Sequence, residues 1–78
     1  MPTVFEIYGY RFFFYSNENN EPVHIHISKA GAEAKYWVGT EPEEVYSYGF
    51  KVKERREIKA FVKEHAELII KSWDEHFK

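Results

Sequence analysis

Val23-His24-Ile25-His26-Ile27-Ser28 alternates strictly between apolar and polar side chains. A period of two is the signature of a strand with one face turned to a core. Ala30-Gly31 follows and can turn the chain, after which Ala34, Tyr36 and Val38 alternate with Glu33, Lys35 and Trp37. A two-residue turn at Ala30-Gly31 sets Ser28 opposite Glu33, His26 opposite Lys35 and His24 opposite Trp37. Slipping one strand by one residue would bury the histidines and expose the isoleucines, so the apolar pattern itself resists the slip.

On the N-terminal side, residues 3–8 and 11–16 are rich in β-branched and aromatic residues, with Gly9 between them. Gly9-Tyr10 as a type II′ turn makes a second hairpin, with Ile7 facing Phe12 and Phe5 facing Phe14. Those four form an apolar face, while Glu6, Tyr8, Arg11, Phe13 and Tyr15 point the other way. Asn17 to Pro22 reads as a polar loop, with Asn19-Asn20 suited to a turn. On the C-terminal side, Glu41-Pro42 ends the fourth strand, and residues 43–50 are ambiguous, read as a helical turn closing near Gly49. From Lys53 to Phe77 there is no Gly or Pro, and Ile58, Phe61, Val62, His65, Ile69 and Trp73 recur at helical spacing. The pattern predicts one amphipathic helix of about 22–25 residues. The expected fold is α+β, order ββββα: a four-stranded antiparallel sheet of two hairpins, covered on one face by a long C-terminal helix. All 78 residues form one domain.

A chain this small buries only about 60% of its unfolded surface. It therefore needs a staple or an unusually rich core. It has no cysteine, but seven Phe, six Tyr and two Trp supply the core. There is neither a membrane-length apolar run nor a basic leader followed by an apolar stretch, so the expected location is the cytoplasm. Net charge is −2, unevenly spread: residues 1–50 carry three Lys/Arg against seven Glu, residues 51–78 eight Lys/Arg against six Asp/Glu.

The second hairpin gathers His24, His26, Ser28, Glu33, Lys35 and Trp37 on one face. Imidazoles two residues apart on a strand point the same way, about 6.5–7 Å apart. Three functional readings follow. One imidazole serves as general base and the other as general acid, with Lys35 holding an anionic phosphate and Trp37 stacking a base. Alternatively, His24, His26 and Glu33 ligate a divalent metal such as zinc or manganese. Or the face recognises a protein. Against all three stands the ordinary solvated face of an antiparallel sheet. His65, on the apolar helix stripe, reads as a hydrogen-bonded core histidine. Lys53, Arg56, Lys59 and Lys63 form one helical edge, either a solvated face or a surface for RNA phosphate or an acidic partner.

Val4-Phe5-Glu6-Ile7, Phe12 to Glu18, Glu21-Pro22-Val23-His24-Ile25-His26, Ala34-Lys35-Tyr36-Trp37 and Tyr48-Gly49-Phe50-Lys51, together with the closing helix through Trp73, resemble a bacterial family. It is domain-of-unknown-function family 4160, whose most specific feature is the His-Ile-His strand followed by Ala-Lys-aromatic-Trp. The family often has Pro where this chain has Val23 and Val52. Its members look like components of toxin–antitoxin-type gene pairs, beside a second small protein. The resemblance implies a cognate antitoxin-like partner and a toxin acting on nucleic acid, and it passes on no catalytic role.

Together these readings make the chain a candidate endoribonuclease toxin that needs no cofactor and uses His24, His26 and Lys35. Ser28, Trp37 and the basic edge would contact RNA. The alternatives are a partner-binding module without chemistry and the metal site. A partner is also expected from Tyr8, Phe13, Tyr15 and Trp37, which the one helix cannot cover. Either residues 43–50, through Tyr46, Tyr48 and Phe50, lie over these rings, or a homodimer or cognate chain does.

Overall fold

The computed structural model describes residues 3–15 and 20–77. Five strands form one antiparallel sheet in chain order: β1 (Thr3–Ile7), β2 (Tyr10–Phe13), β3 (His24–Lys29), β4 (Ala32–Trp37) and β5 (Glu43–Tyr48). Two helices, α1 (Val52–Glu64) and α2 (Ala66–His76), close the chain. The loop expected from Asn17 to Pro22 lies outside the described residues up to Asn19.

The decisive hairpin has the expected register: His24 pairs with Trp37, His26 with Lys35 and Ser28 with Glu33. Its turn is Ala30-Gly31, both at positive φ, 49° and 86°. The first hairpin turns one residue earlier than expected. Tyr8 and Gly9 are the turn, at φ 50° and 83°, which is a type I′ pattern rather than II′. Ile7 therefore pairs with Tyr10 and Phe5 with Phe12. The partners of Ile7 and Phe5 both move by two residues, so these two side chains keep their expected face, whereas Tyr8 leaves the strand for the turn. The shift draws the Tyr10 ring into the core at 2% exposure, with its hydroxyl donating to Glu57 Oε1 at 3.3 Å. β2 joins the hairpins by pairing Phe12 with Ile27 and Phe13 with His26.

Residues 43–50 are not a helical turn. They supply the fifth strand, paired with β4 through Lys35↔Tyr46 and Tyr36↔Glu44. The register jumps between those pairs, so Val45 is an extra residue in the ladder. A bulge of this kind breaks the period of two and hides the strand from a periodicity reading. Gly49, expected to close a helical turn, instead follows the end of β5 at φ 85°; a Cβ there would lie 3.0 Å from that of Ala32. β1, the opposite edge, is also irregular, between Thr3 and Phe5. Bulged edges discourage pairing with another sheet.

The single long helix is in fact two. His65 leaves helical geometry at φ −107°, ψ 18°. Its Nδ1–H donates to the Phe61 carbonyl at 2.8 Å, and its ring stacks on Phe5 at 4.5 Å. A side chain that bonds back onto its own helix competes with the ladder and bends it. The apolar stripe runs through the break: Ile58 and Val62 are buried on α1, Ile69 and Trp73 on α2. They pack on Phe12, Phe14, Ile25, Ile27, Ala34 and Tyr36 from the sheet.

The rings expected on the open face are mostly covered within the chain. Phe13 is 2% exposed, packed against Tyr15 and His26 with the Arg11 guanidinium over it at 4.4 Å. Tyr15 and Trp37 are half-buried, while Tyr8 lies in the turn, exposed, beside Phe61 of the helix layer. Of the three residues offered as a cover, Tyr46 reaches His26, Tyr48 is exposed and stacks on Tyr46, and Phe50 packs on the opposite face near Tyr10. No helix among the described residues is long and apolar enough to cross a membrane.

Candidate functional site

The sheet face opposite to that of Ile25, Ile27, Ala34 and Tyr36 carries the polar constellation, and α2 reaches its His24 end through Trp73. His24 begins the central strand and is fully buried. Its ring meets Trp37 from β4 edge-on at 5.6 Å, Trp73 from α2 at 4.9 Å and His26 at 5.2 Å. Its Nδ1 lies 2.9 Å from the Pro22 carbonyl, which can only accept, so Nδ1 carries the proton. Glu21 Oε1 stands 3.9 Å from the same nitrogen.

His26 is 3% exposed. Phe13 stacks on it at 5.5 Å and Tyr15 meets its edge at 4.7 Å. Its Nδ1 is 3.3 Å from the Tyr46 hydroxyl and 3.7 Å from Glu33 Oε2. The Tyr46 hydroxyl in turn donates to Glu33 Oε2 at 2.9 Å. Glu33, Tyr46 and His26 thus form one connected run across three strands.

Lys35, directly opposite His26, is 13% exposed at its side chain. Its ammonium is 2.7 Å from Glu21 Oε1 and 4.9 Å from the Trp37 ring centre. Ser28 ends the face, half-buried, across from Glu33 on β4 and Arg11 on β2. All six residues predicted to share this face therefore do so, but the histidines are enclosed rather than presented to solvent. Among the described residues, no three His, Cys, Asp or Glu side chains come together in a way that could hold a metal ion, His24, His26 and Glu33 included.

The basic edge lies elsewhere. Lys53, Arg56, Lys59 and Lys63 are exposed along α1. Lys59 and Lys63 both reach Glu41, at 3.4 and 3.2 Å. The Lys63 hydrogen bond, then its charge and Lys59, hold the Glu41 carboxyl below its ordinary range. Arg55 grips Glu44 through two bonds, at 2.8 and 2.6 Å, lowering the carboxyl and raising the guanidinium. Burial, with the Glu44 hydrogen bond next, pushes the Tyr36 phenol well above its ordinary range. An open cleft of about 510 Å³ runs between α1 and residues 41–44, with Arg56, Lys59 and Val52 on one wall and Glu41, Pro42 and Glu43 on the other.

Sequence reasoning offered Tyr46 only as a cover for the open face, not as a partner of His26, and missed Glu21. Tyr46 lay in the segment whose bulge obscured the strand. Glu21, three residues before His24 in a loop, offered no periodic signal.

A family model described as a domain of unknown function (DUF4160) matches residues 9–74, a span that includes every residue of both polar regions. Comparison with curated proteins and with solved structures gave no match.

Proposed function

This chain belongs to the DUF4160 family, and we propose that it is the toxin component of a bacterial toxin–antitoxin-type pair, a metal-independent endoribonuclease working from its histidine face. The observation that carries the reading is the run from Glu33 through Tyr46 to His26, with Lys35 directly opposite. A carboxylate behind an imidazole is the arrangement that holds a general base in one orientation. In the reaction, His26 takes the proton of an RNA 2′-hydroxyl. The 2′-oxygen attacks the adjacent phosphorus to form a cyclic phosphate. The phosphorus–5′-oxygen bond breaks, and a protonated His24 returns a proton to the leaving oxygen. Lys35 neutralises the phosphate oxygens.

Burial sets a condition on this chemistry. RNA reaches His24 and His26 only when the rings around them part, and Lys35 serves a phosphate only when it leaves Glu21. The basic residues Lys53 and Arg56 on α1 offer phosphate contacts outside that shell.

The second reading is a partner-binding module without chemistry, favoured by the enclosure of both histidines and by the location of the α1 cleft away from them. Expression toxicity and RNA cleavage by the purified chain separate the two, with His26→Gln and His24→Gln compared at equal folded fraction. Under the catalytic reading each variant loses about 10²–10⁴ in cleavage rate. Equal toxicity in all three proteins, or none in any, removes it and leaves the binding module.

A further inference from the structure

We infer that Tyr46 is a positioning residue for His26: its hydroxyl, held by Glu33, fixes the imidazole with its proton on Nδ1 and its lone pair on Nε2. The function of that lone pair rests on the acid–base reading above; the protonation pattern itself stands on geometry.

A phenol has one proton. A carboxylate has none to give, and two acceptors cannot face each other at 2.9 Å, so the Tyr46 proton points to Glu33. The Tyr46 oxygen can then only accept from His26, 3.3 Å away, and Nδ1 must be the donor. Glu33 lies 3.7 Å from the same Nδ1, which favours the proton there as well. The three groups come from β3, β4 and β5, and the Lys35↔Tyr46 pairing beyond the bulge brings the hydroxyl to Nδ1. Phe13 stacks on the imidazole, with ring centres 5.5 Å apart. A histidine free in water prefers the other tautomer, with the proton on Nε2, so the arrangement imposes a preference that the side chain lacks alone.

Glu33→Gln tests this at the level of single protons. Its amide can donate to the Tyr46 oxygen, releasing the phenol proton to Nδ1, and the imidazole proton then moves to Nε2. The side chain of Glu33 is 36% exposed, and the change keeps its shape. Nitrogen-15 NMR of the whole chain, at a pH where the imidazole is neutral, reads the tautomer directly. The expected result is a wild-type His26 with Nδ1 in the protonated range and Nε2 in the unprotonated range, exchanged in Glu33→Gln. A wild-type His26 protonated on Nε2, or the wild-type tautomer retained in Tyr46→Phe, which removes the hydroxyl outright, overturns the inference. Cleavage is measured on the same samples, and the acid–base reading predicts a loss of about ten- to a hundredfold in Glu33→Gln, the worth of one hydrogen bond to a charged group. An exchanged tautomer with no cleavage by the wild type overturns the ribonuclease reading and leaves the positioning role of Tyr46 standing.

Discussion

The histidine face and the α1 edge are built from the same kinds of group, carboxylates beside cationic or imidazole nitrogens, under opposite conditions. On the histidine face, His24 and His26 are 0% and 3% exposed and Lys35 is nearly so. Along α1, Lys59 and Lys63 share the exposed Glu41, with side-chain exposures of 49%, 58% and 63%. Burial raises the strength of each polar contact and the penalty for leaving a group unpaired. Exposed pairs are screened and contribute little. The two regions should therefore respond very differently to the loss of one partner.

The largest effect is expected for His24→Ala. It removes a fully buried ring from between Trp37 and Trp73 and deprives the Pro22 carbonyl of its donor. A loss of about 2–5 kcal/mol, read by urea unfolding, follows from comparable buried truncations. That is a large share of the about 5–15 kcal/mol typical of a folded domain. A loss no larger than that of an exposed lysine would erase the contrast between the regions.

Tyr46→Phe comes next. It leaves the His26 Nδ1 and Glu33 without their shared hydroxyl. About 1–3 kcal/mol is expected, because a polar group is stranded in a half-buried site. The loss should persist at high salt, which distinguishes it from the exposed pairs.

Glu44→Gln probes the boundary between the two regimes, since Glu44 is partly covered and bound by Arg55 and by the Tyr36 hydroxyl. Its carboxyl is held below the ordinary value of 4.5, chiefly by the Arg55 hydrogen bond. A lowered carboxyl stabilises the fold above its unfolded pKa and ceases to do so as pH falls through the lower folded value. Acid unfolding of the wild type should therefore be steeper below pH 4.5 than that of Glu44→Gln, and the two curves should converge at the acid end. Parallel curves would show that the Arg55 pair contributes nothing to the folded state. Lys63→Met, last, should leave the melting temperature unchanged, because Lys63 and Glu41 are both exposed and Lys59 still reaches the same carboxylate. A clear drop would mean that the α1 edge is structural in the way the histidine face is.

Much of the frame was legible in particular residues. Ile25, Ile27, Ala34 and Tyr36 announced the buried face, and the histidine, lysine and tryptophan pairings of β3 and β4 followed from one turn. His65 was legible as a hydrogen-bonded histidine, though it is half-buried rather than in the core, and not as the point where the helix breaks. The membership of the polar face was legible, and its enclosure was not. The alternation says which side His26 faces and is silent on whether Phe13, Tyr15 and Tyr46 close over it.

By itself, the sequence determined the faces, because strand and helix periods are local properties of the chain and a register slip would expose isoleucines on one side or bury charge on the other. Only the tertiary structure decided the bulge that makes residues 43–48 a fifth strand, the stacking of Phe5 on His65 at the helix break, and the hydroxyl that Tyr46 brings to His26 from twenty residues away. Each of these depends on groups far apart in the chain arriving within a few ångströms of one another, and no periodicity in a single segment encodes the position of its partner.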